Sequence, residues 1–190
     1  MTETQILDVF KKSEALLTGH FLLTSGRHSD KYFQCAKILQ YPDHTEKLCT
    51  MIVDRFKEAE IDTVISPAIG GLVVGQEVSR QLNKRFVFAE REDGKLTLRR
   101  GFSLDKNEKV LVCEDVVTTG GSVFEVIDIV KNNNADVAGI GFIVDRSNGK
   151  VNFGFPQFSA LKMNVASYPP EECPLCNSGS KPIKPGSRKL

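Results

Sequence analysis

VLVCEDVVTTGGS, residues Val110 to Ser122, is the stretch that decides the fold. It opens on an unbroken apolar run, continues through two acids, and ends in a Thr-Thr-Gly-Gly-Ser turn. The residues that follow, SVFEVIDIVK, return their apolar side chains at helical spacing. A buried strand, a polar turn and a helix in that order put the polar residues at the carboxyl end of a parallel strand, where open α/β sheets bind ligands. The N–H groups of Thr118, Thr119, Gly120, Gly121 and Ser122 then stand at a helix start, where no carbonyl of the helix reaches them and the dipole favours an anion. The glycines let main chain close around a phosphate. Glu114 and Asp115 stand too near this cradle for both to serve an anion, so their natural partners are hydroxyls of a sugar that carries the phosphate. The plainer alternative has Asp115 or Thr118 merely cap the helix. The complete run from strand to helix favours the sugar phosphate.

Outward from this stretch, short apolar runs alternate with helical patterns. TVISP precedes a helix expected over Gly71 to Leu82, RFVFAE precedes the central run KVLVCEDV, and a helix expected over Gly121 to Lys131 precedes VAGIGFIV, Val137 to Val144. Each run is apolar throughout and not on every second residue, which marks a mostly parallel sheet covered by helices on both faces. Upstream, Leu48, Met51, Ile52, Val53 and Phe56 predict a helix within Asp43 to Glu60. Ile6, Leu7, Val9, Phe10, Leu16 and Leu17 predict a first helix that Gly19 closes. Phe21 to Leu23 and Tyr32–Phe33 read as extended pieces around the turn SGRHSD. The polar stretch Glu90 to Lys109 carries Arg91, Lys95, Arg99 and Arg100, and its LTLRR fits a small hairpin arm.

The 190 residues are enough for one domain with its own core, and 41% hydrophobic with 26% charged residues excludes a disordered or fibrous chain. A net charge of +1 provides no field for coating nucleic acid or a membrane surface. No apolar run approaches a bilayer span, and a cytoplasmic protein is expected. Five cysteines, three of them in apolar or amphipathic stretches, speak against a disulfide framework.

VLVCEDVVTTGGS resembles the phosphoribosyl-pyrophosphate motif of type I phosphoribosyltransferases. The resemblance implies that family's fold: an open, mostly parallel sheet with helices on both faces, a small N-terminal hood and a mobile loop. The chain accordingly divides into one domain over residues 1–168, with a hood at 18–40 and a mobile loop at 90–108, and a Cys/Pro/Lys-containing tail at 169–190. The resemblance also implies that Glu114 and Asp115 hold the ribose hydroxyls of phosphoribosyl pyrophosphate, and that Thr118 to Ser122 bind its 5-phosphate.

Four further segments are similar to the orotate phosphoribosyltransferase branch. LLTSGRHSDKYF matches the element that receives the orotate ring, with Tyr32 and Phe33 in the aromatic places; packing in a strand is an equally good account of those two. SPAIGGLVVG resembles the pyrophosphate loop, in which Ala68, Ile69, Gly70 and Gly71 offer backbone amides to the leaving diphosphate. EREDGKLTLRRGF takes the place of the catalytic loop, with Arg91 and Lys95 as the charges that close over the diphosphate; a solvated charged hairpin is the bland alternative. VDRSNGK places Arg146 where a guanidinium pairs the orotate carboxylate through two parallel hydrogen bonds. The sequence departs from the branch at Thr24 and Gly70, where many relatives have lysine, and in lacking a histidine in the loop.

The resemblance implies transfer of the phosphoribosyl group to orotate, giving orotidine 5-phosphate and diphosphate in pyrimidine biosynthesis. Lys95, Arg91 and Asp115 are then the catalytic group. Magnesium is the expected cofactor, held mainly through substrate and with no direct protein ligand set. A homodimer that shares the loop across its interface is the expected assembly. The alternatives are a purine phosphoribosyltransferase and a regulator that senses phosphoribosyl pyrophosphate. The tail carries Cys173 and Cys176 in a Cys-x-x-Cys, two of the four ligands that a structural zinc requires, and no second pair or histidine follows. Three readings stay open for it: a plain surface tail without regular structure, a metal shared between subunits, and a redox pair.

Overall fold

The computed structural model describes residues 1–23, 26–163 and 165–185. Thr24, Ser25 of the SGRHSD turn and the Gly-Ser-Arg part of the tail lie outside the described residues. The described chain forms two compact units, one from residues 39–163 and one from residues 2–38 together with the C-terminal segment.

The larger unit is built on a six-stranded sheet in the order β5-β4-β3-β6-β7-β8. Its strands are β3 (Thr63–Pro67), β4 (Arg85–Glu92), β5 (Lys95–Leu98), β6 (Lys109–Val117), β7 (Asp136–Asp145) and β8 (Gln157–Lys162). All neighbours are parallel except β4 and β5. The helices are α3 (Pro42–Phe56), α4 (Gly71–Leu82) and α5 (Gly121–Asn132). Strand residues are buried on both sides because helices cover both: Ile65, Val110, Val112, Ile140 and Phe142 pack with Val123, Val126, Ile127 and Val130 of α5. Leu111 and Cys113, which alternate with Val110 and Val112 along β6, are also fully buried. A continuous apolar run is what a sheet with two covered faces demands, and it is why the runs were legible.

The chain leaves β3 through α4 to β4 on one side, and leaves β6 through α5 to β7 on the other. β3 and β6 are neighbours, so the order reverses between them. The loops after both strands emerge at this switch, where the two connections diverge and open a crevice.

The smaller unit contains α1 (Glu3–Lys12), β1 (Leu16–Leu22), β2 (His28–Phe33), the start of α2 (Ala36–Leu39) and β9 (Ser167–Tyr168), the strands forming an antiparallel sheet in the order β1-β2-β9. Two expectations are corrected here. The first helix ends at Lys12, and Leu16, Leu17 and Gly19 lie in β1. A capping box between Thr2 and Gln5 starts this helix. The Ser13 hydroxyl bonds back to the Val9 carbonyl and Glu14 takes φ 52°, which turns the chain away before the apolar stripe can continue. The tail is not without regular structure: a 3₁₀ turn (Pro170–Glu172) and α6 (Pro174–Asn177) precede a parallel bridge from Ile183 to Phe21. Leu22 N–H donates to Ile183 O and Ile183 N–H to His20 O, 2.8 and 2.9 Å, so this segment borrows an edge of β1. The expected hood at 18–40 is thus part of a unit that starts earlier in the chain and is completed from the C-terminal side.

Candidate active site

β6 continues through the acid pair to Val117, so Glu114 and Asp115 stand in the strand and not in the turn expected for them. Glu114 sits opposite Phe142 of β7 and is buried. Its carboxylate accepts the Asp115 N–H (3.0 Å), and Asp115 Oδ1 accepts the Val116 N–H (2.8 Å). Burial, and after it the neighbouring Asp115 charge, push the Glu114 carboxyl well above the usual carboxylate range. Burial raises Asp115 as well, against hydrogen bonds from Glu114 and the Val116 amide that favour its ionised form. Two carboxylates held together with so little solvation call for donors or a cation from a ligand.

The loop after β3 lies directly against this pair. A Cβ on Gly70 would fall 2.7 Å from both Asp115 carboxylate oxygens, and one on Gly71 would fall 3.1 Å from Glu114 Oε1 and from the Cys113 carbonyl. The absent lysine at position 70 has its reason here: no side chain fits while Asp115 keeps its place. Ala68–Ile69 is a cis peptide, and the Ile69 side chain is exposed.

After Val117 the turn places Thr118 and Thr119 in solvent and Gly120 at φ 78° as the residue before α5. A Cβ on Gly120 would lie 2.8 Å from the Phe153 ring. Its conformation and its neighbours both exclude a side chain. No side chain caps α5, so neither Asp115 nor Thr118 performs the plainer role, and the first amides of the helix keep their capacity for an anion.

Arg146 follows β7 directly, and its N–H donates to the Val117 carbonyl at 2.8 Å, which ties it to the strand end from which the turn departs. Asp145 and Ser147 support this junction. The buried Asp145 carboxylate accepts both the N–H and the hydroxyl of Ser147, each at 2.7 Å. The sequence reading missed both; D-x-S after a buried strand is a short Asx signal that carries little weight by itself.

The charged arm is more ordered than a loop over 90–108. Asp93 and Gly94, at φ 49° and 82°, turn β4 into β5, so the irregular part begins at Arg99. Arg91 pairs through both terminal nitrogens with Glu125 of α5, 2.8 and 3.1 Å, and Glu125 also accepts the Leu96 N–H at 3.0 Å. Arg100 pairs with Glu90 and Arg99 with Glu92. Of Arg91, Lys95, Arg99 and Arg100, Lys95 is the one with no acidic partner among the described residues. The arm is therefore anchored on the first turns of α5, the helix that opens at the Thr-Thr-Gly-Gly turn. Arg91 is occupied as its anchor, an arrangement that Glu125 alone could have signalled and that no local spacing announced.

Tyr32 and Phe33 belong to the smaller unit. Phe33 is buried edge-on against Phe10, ring centroids 6.0 Å apart, and Tyr32 lies 5.8 Å from the Phe21 ring. These contacts account for both residues as packing groups. No described helix is long and apolar enough to cross a membrane.

A buried acid pair, a helix start without a side-chain cap and a Gly-Gly loop thus meet at the switch of the parallel sheet, the arrangement that the sequence resemblance to phosphoribosyltransferases leads one to expect. The phosphoribosyl transferase domain family matches residues 36–164. Solved neighbours agree on the fold. The orotate phosphoribosyltransferase of Aeropyrum pernix superposes with TM-score 0.69 at 26% identity, covering 83% of this chain and 93% of that one. The adenine phosphoribosyltransferase of Thermoanaerobacter pseudethanolicus superposes with TM-score 0.62 at 16% identity, covering 70% and 88%. Fold alone therefore does not choose the base. Sequence does: the orotate phosphoribosyltransferase of Chlorobaculum parvum is 58% identical over 188 residues, 99% of this chain and 97% of the relative. The chain belongs to the phosphoribosyltransferase family, and within it to the orotate phosphoribosyltransferases.

Proposed function

We propose that the protein transfers the phosphoribosyl group of 5-phosphoribosyl 1-diphosphate to orotate, releasing diphosphate and forming orotidine 5-phosphate in pyrimidine biosynthesis. The observation that carries this reading is the packing of the Glu114–Asp115 pair against the backbone of Gly70 and Gly71, beside an α5 start with no side-chain cap. Glu114 and Asp115 accept hydrogen bonds from the ribose hydroxyls, which relieves two poorly solvated carboxylates. The amides of Thr118 to Ser122 take the 5-phosphate, and those of Ala68 to Gly71 take the diphosphate. Orotate attacks the anomeric carbon as the bond to diphosphate breaks, so the protein's work is placement and stabilisation of departing charge. Lys95 supplies that charge. Arg91 contributes positioning through Glu125, and a direct role for it requires that pair to open.

Magnesium fits this place, since two carboxylates packed against a glycine favour a hard cation held on the oxygens of the sugar and diphosphate beside them. It would be held mainly through substrate, with Glu114 and Asp115 fixing the sugar hydroxyls beside it, and when bound it supplies charge neutralisation to the diphosphate. Arg146 selects an acidic base: a guanidinium gains from the orotate carboxylate and has no matching group on a neutral purine. Tyr32 and Phe33 are the aromatic pair that the family resemblance assigns to the orotate ring. A homodimer in which the loop over residues 90–108 serves the partner's site completes the proposal.

Mixing the protein with phosphoribosyl pyrophosphate, magnesium and orotate should bleach the orotate absorbance and release diphosphate. Turnover of adenine, hypoxanthine, guanine or xanthine in its place would overturn the choice of base. A salt-sensitive nucleic-acid shift without turnover would favour a regulator instead.

A further inference from the structure

Four metal-ligating side chains far apart in sequence converge in the smaller unit. His20 stands on β1 and His28 on β2, both buried; Cys173 precedes α6 and Cys176 lies within it. One ligand atom from each lies within 4.8 Å of the other three. His20 Nε2 is 3.0 Å from His28 Nδ1, 3.5 Å from Cys173 Sγ and 3.8 Å from Cys176 Sγ, and Cys176 Sγ is 3.3 Å from His28 Nδ1. Tetrahedral zinc, with bonds of about 2.0–2.1 Å to nitrogen and about 2.3 Å to sulfur, sets its ligands about 3.3 Å apart for two nitrogens and about 3.6 Å for nitrogen and sulfur. The four quoted edges match those separations to within about 0.4 Å.

The outer contacts agree. His20 Nδ1 faces the Ser180 carbonyl at 3.1 Å, and a carbonyl can only accept, so Nδ1 carries the proton and Nε2 turns its lone pair to the centre. Ser180 belongs to the same C-terminal segment as the cysteines, so one stretch of chain supplies both sulfurs and the group that orients the first imidazole.

We propose that the protein binds one zinc ion through His20 Nε2, His28 Nδ1, Cys173 Sγ and Cys176 Sγ. Two thiolates and two imidazoles suit zinc and not magnesium, so the site is chemically separate from the transfer reaction. All four positions are filled by protein, which makes the site structural. It has a mechanical purpose. The smaller unit has a three-stranded sheet of which β9 supplies only two residues, and the described segment after it meets β1 at the Ile183 bridge and the His20–Ser180 contact. A metal clip ties that segment to both long strands where apolar burial is scarce. Of the open readings of the tail, this replaces both the plain surface tail and the metal shared between subunits, because the missing ligands come from the same chain.

The full-length protein, purified under reducing conditions without chelator, should carry one zinc per chain by plasma mass spectrometry. Cobalt(II) in its place should give the visible bands of a tetrahedral thiolate site. Chelation of the parent should lower the melting temperature and expose residues 165–185 to protease, and added zinc should reverse both. Cys173→Ser/Cys176→Ser should lose the metal; His28→Gln, a milder change, should weaken zinc binding at least tenfold if the double variant does not fold. A parent that holds no zinc and takes up none from zinc chloride after reduction would overturn the proposal. So would a double variant that keeps its zinc, or a Cys173–Cys176 disulfide in protein isolated without oxygen. None of these readouts uses orotate, so they stand apart from the assay of transfer.

Discussion

Gly70→Ala isolates the acid pair from everything else in the molecule. The residue sits at φ −58° and ψ −46°, a conformation that alanine adopts without strain, and loss of chain freedom in the unfolded state favours the variant by about 0.4–1 kcal/mol. The added carbon, however, lands 2.7 Å from both Asp115 oxygens, where ordinary contact begins at 3.4 Å, so the carboxylate must retreat by about 0.7 Å. Retreat also breaks the 2.8 Å bond from the Val116 amide, the contact that aims Asp115. Overpacking of this kind costs about 1–3 kcal/mol, which the gain in chain entropy partly offsets. The melting temperature should thus fall by only a few degrees. The ribose contact should suffer more. A hydrogen bond to a charged group is worth about 1.5–3 kcal/mol, so kcat/KM for phosphoribosyl pyrophosphate should drop roughly ten- to hundredfold. Steady-state kinetics at saturating orotate, with a thermal melt of the same preparation, measure both. A folded variant whose kcat/KM stays within about twofold of the parent would refute the role given to Asp115, since a displacement of this size should be felt at a reacting centre.

Lys95→Ala should lower kcat far more than it raises KM, because its contact strengthens as diphosphate departs; an unchanged kcat would remove it from the chemistry. Arg146→Ala should weaken orotate binding by about 1.5–3 kcal/mol in titration calorimetry. Glu125→Ala should leave global stability nearly unchanged, since its pair with Arg91 is substantially exposed, while making residues 91–98 more sensitive to limited proteolysis. Glu114 predicts a pH effect on the ligand-free protein. Its folded carboxyl titrates above the ordinary 4.5, so the folded state holds its proton after the unfolded chain has lost it. Its contribution is therefore fully present below pH 4.5 and is lost as pH rises toward the raised folded value. Glu114→Gln should flatten that part of the melting profile.

The larger unit was legible because its physics is local. A strand buried on both faces must be apolar along its whole length, and an anion turn between such a strand and a helix needs small residues. Both demands are written in consecutive positions, so β3, α4, β6, the Thr-Thr-Gly-Gly turn and α5 follow from Val110 to Ser122 and its neighbours. The end of β6 is not legible because two acids look like a loop; a ladder to β7 keeps them extended, and burying them carries a cost of the kind expected at a functional site. β8, an edge strand of mixed composition, escaped for lack of a pattern.

What only the tertiary structure decided lies between residues distant along the chain. Gly70 against Asp115, Arg91 on Glu125 and the Arg146 amide on Val117 are contacts that no spacing encodes. The tail is the sharpest case. Its sequence supplied two ligands and no partners, and the fold brings His20 and His28 to them across some 150 residues, at distances of 3.3 to 3.8 Å. A motif whose parts share one element can be read from the chain that carries it. A site assembled from separate strands exists only once the sheet that aligns them has formed.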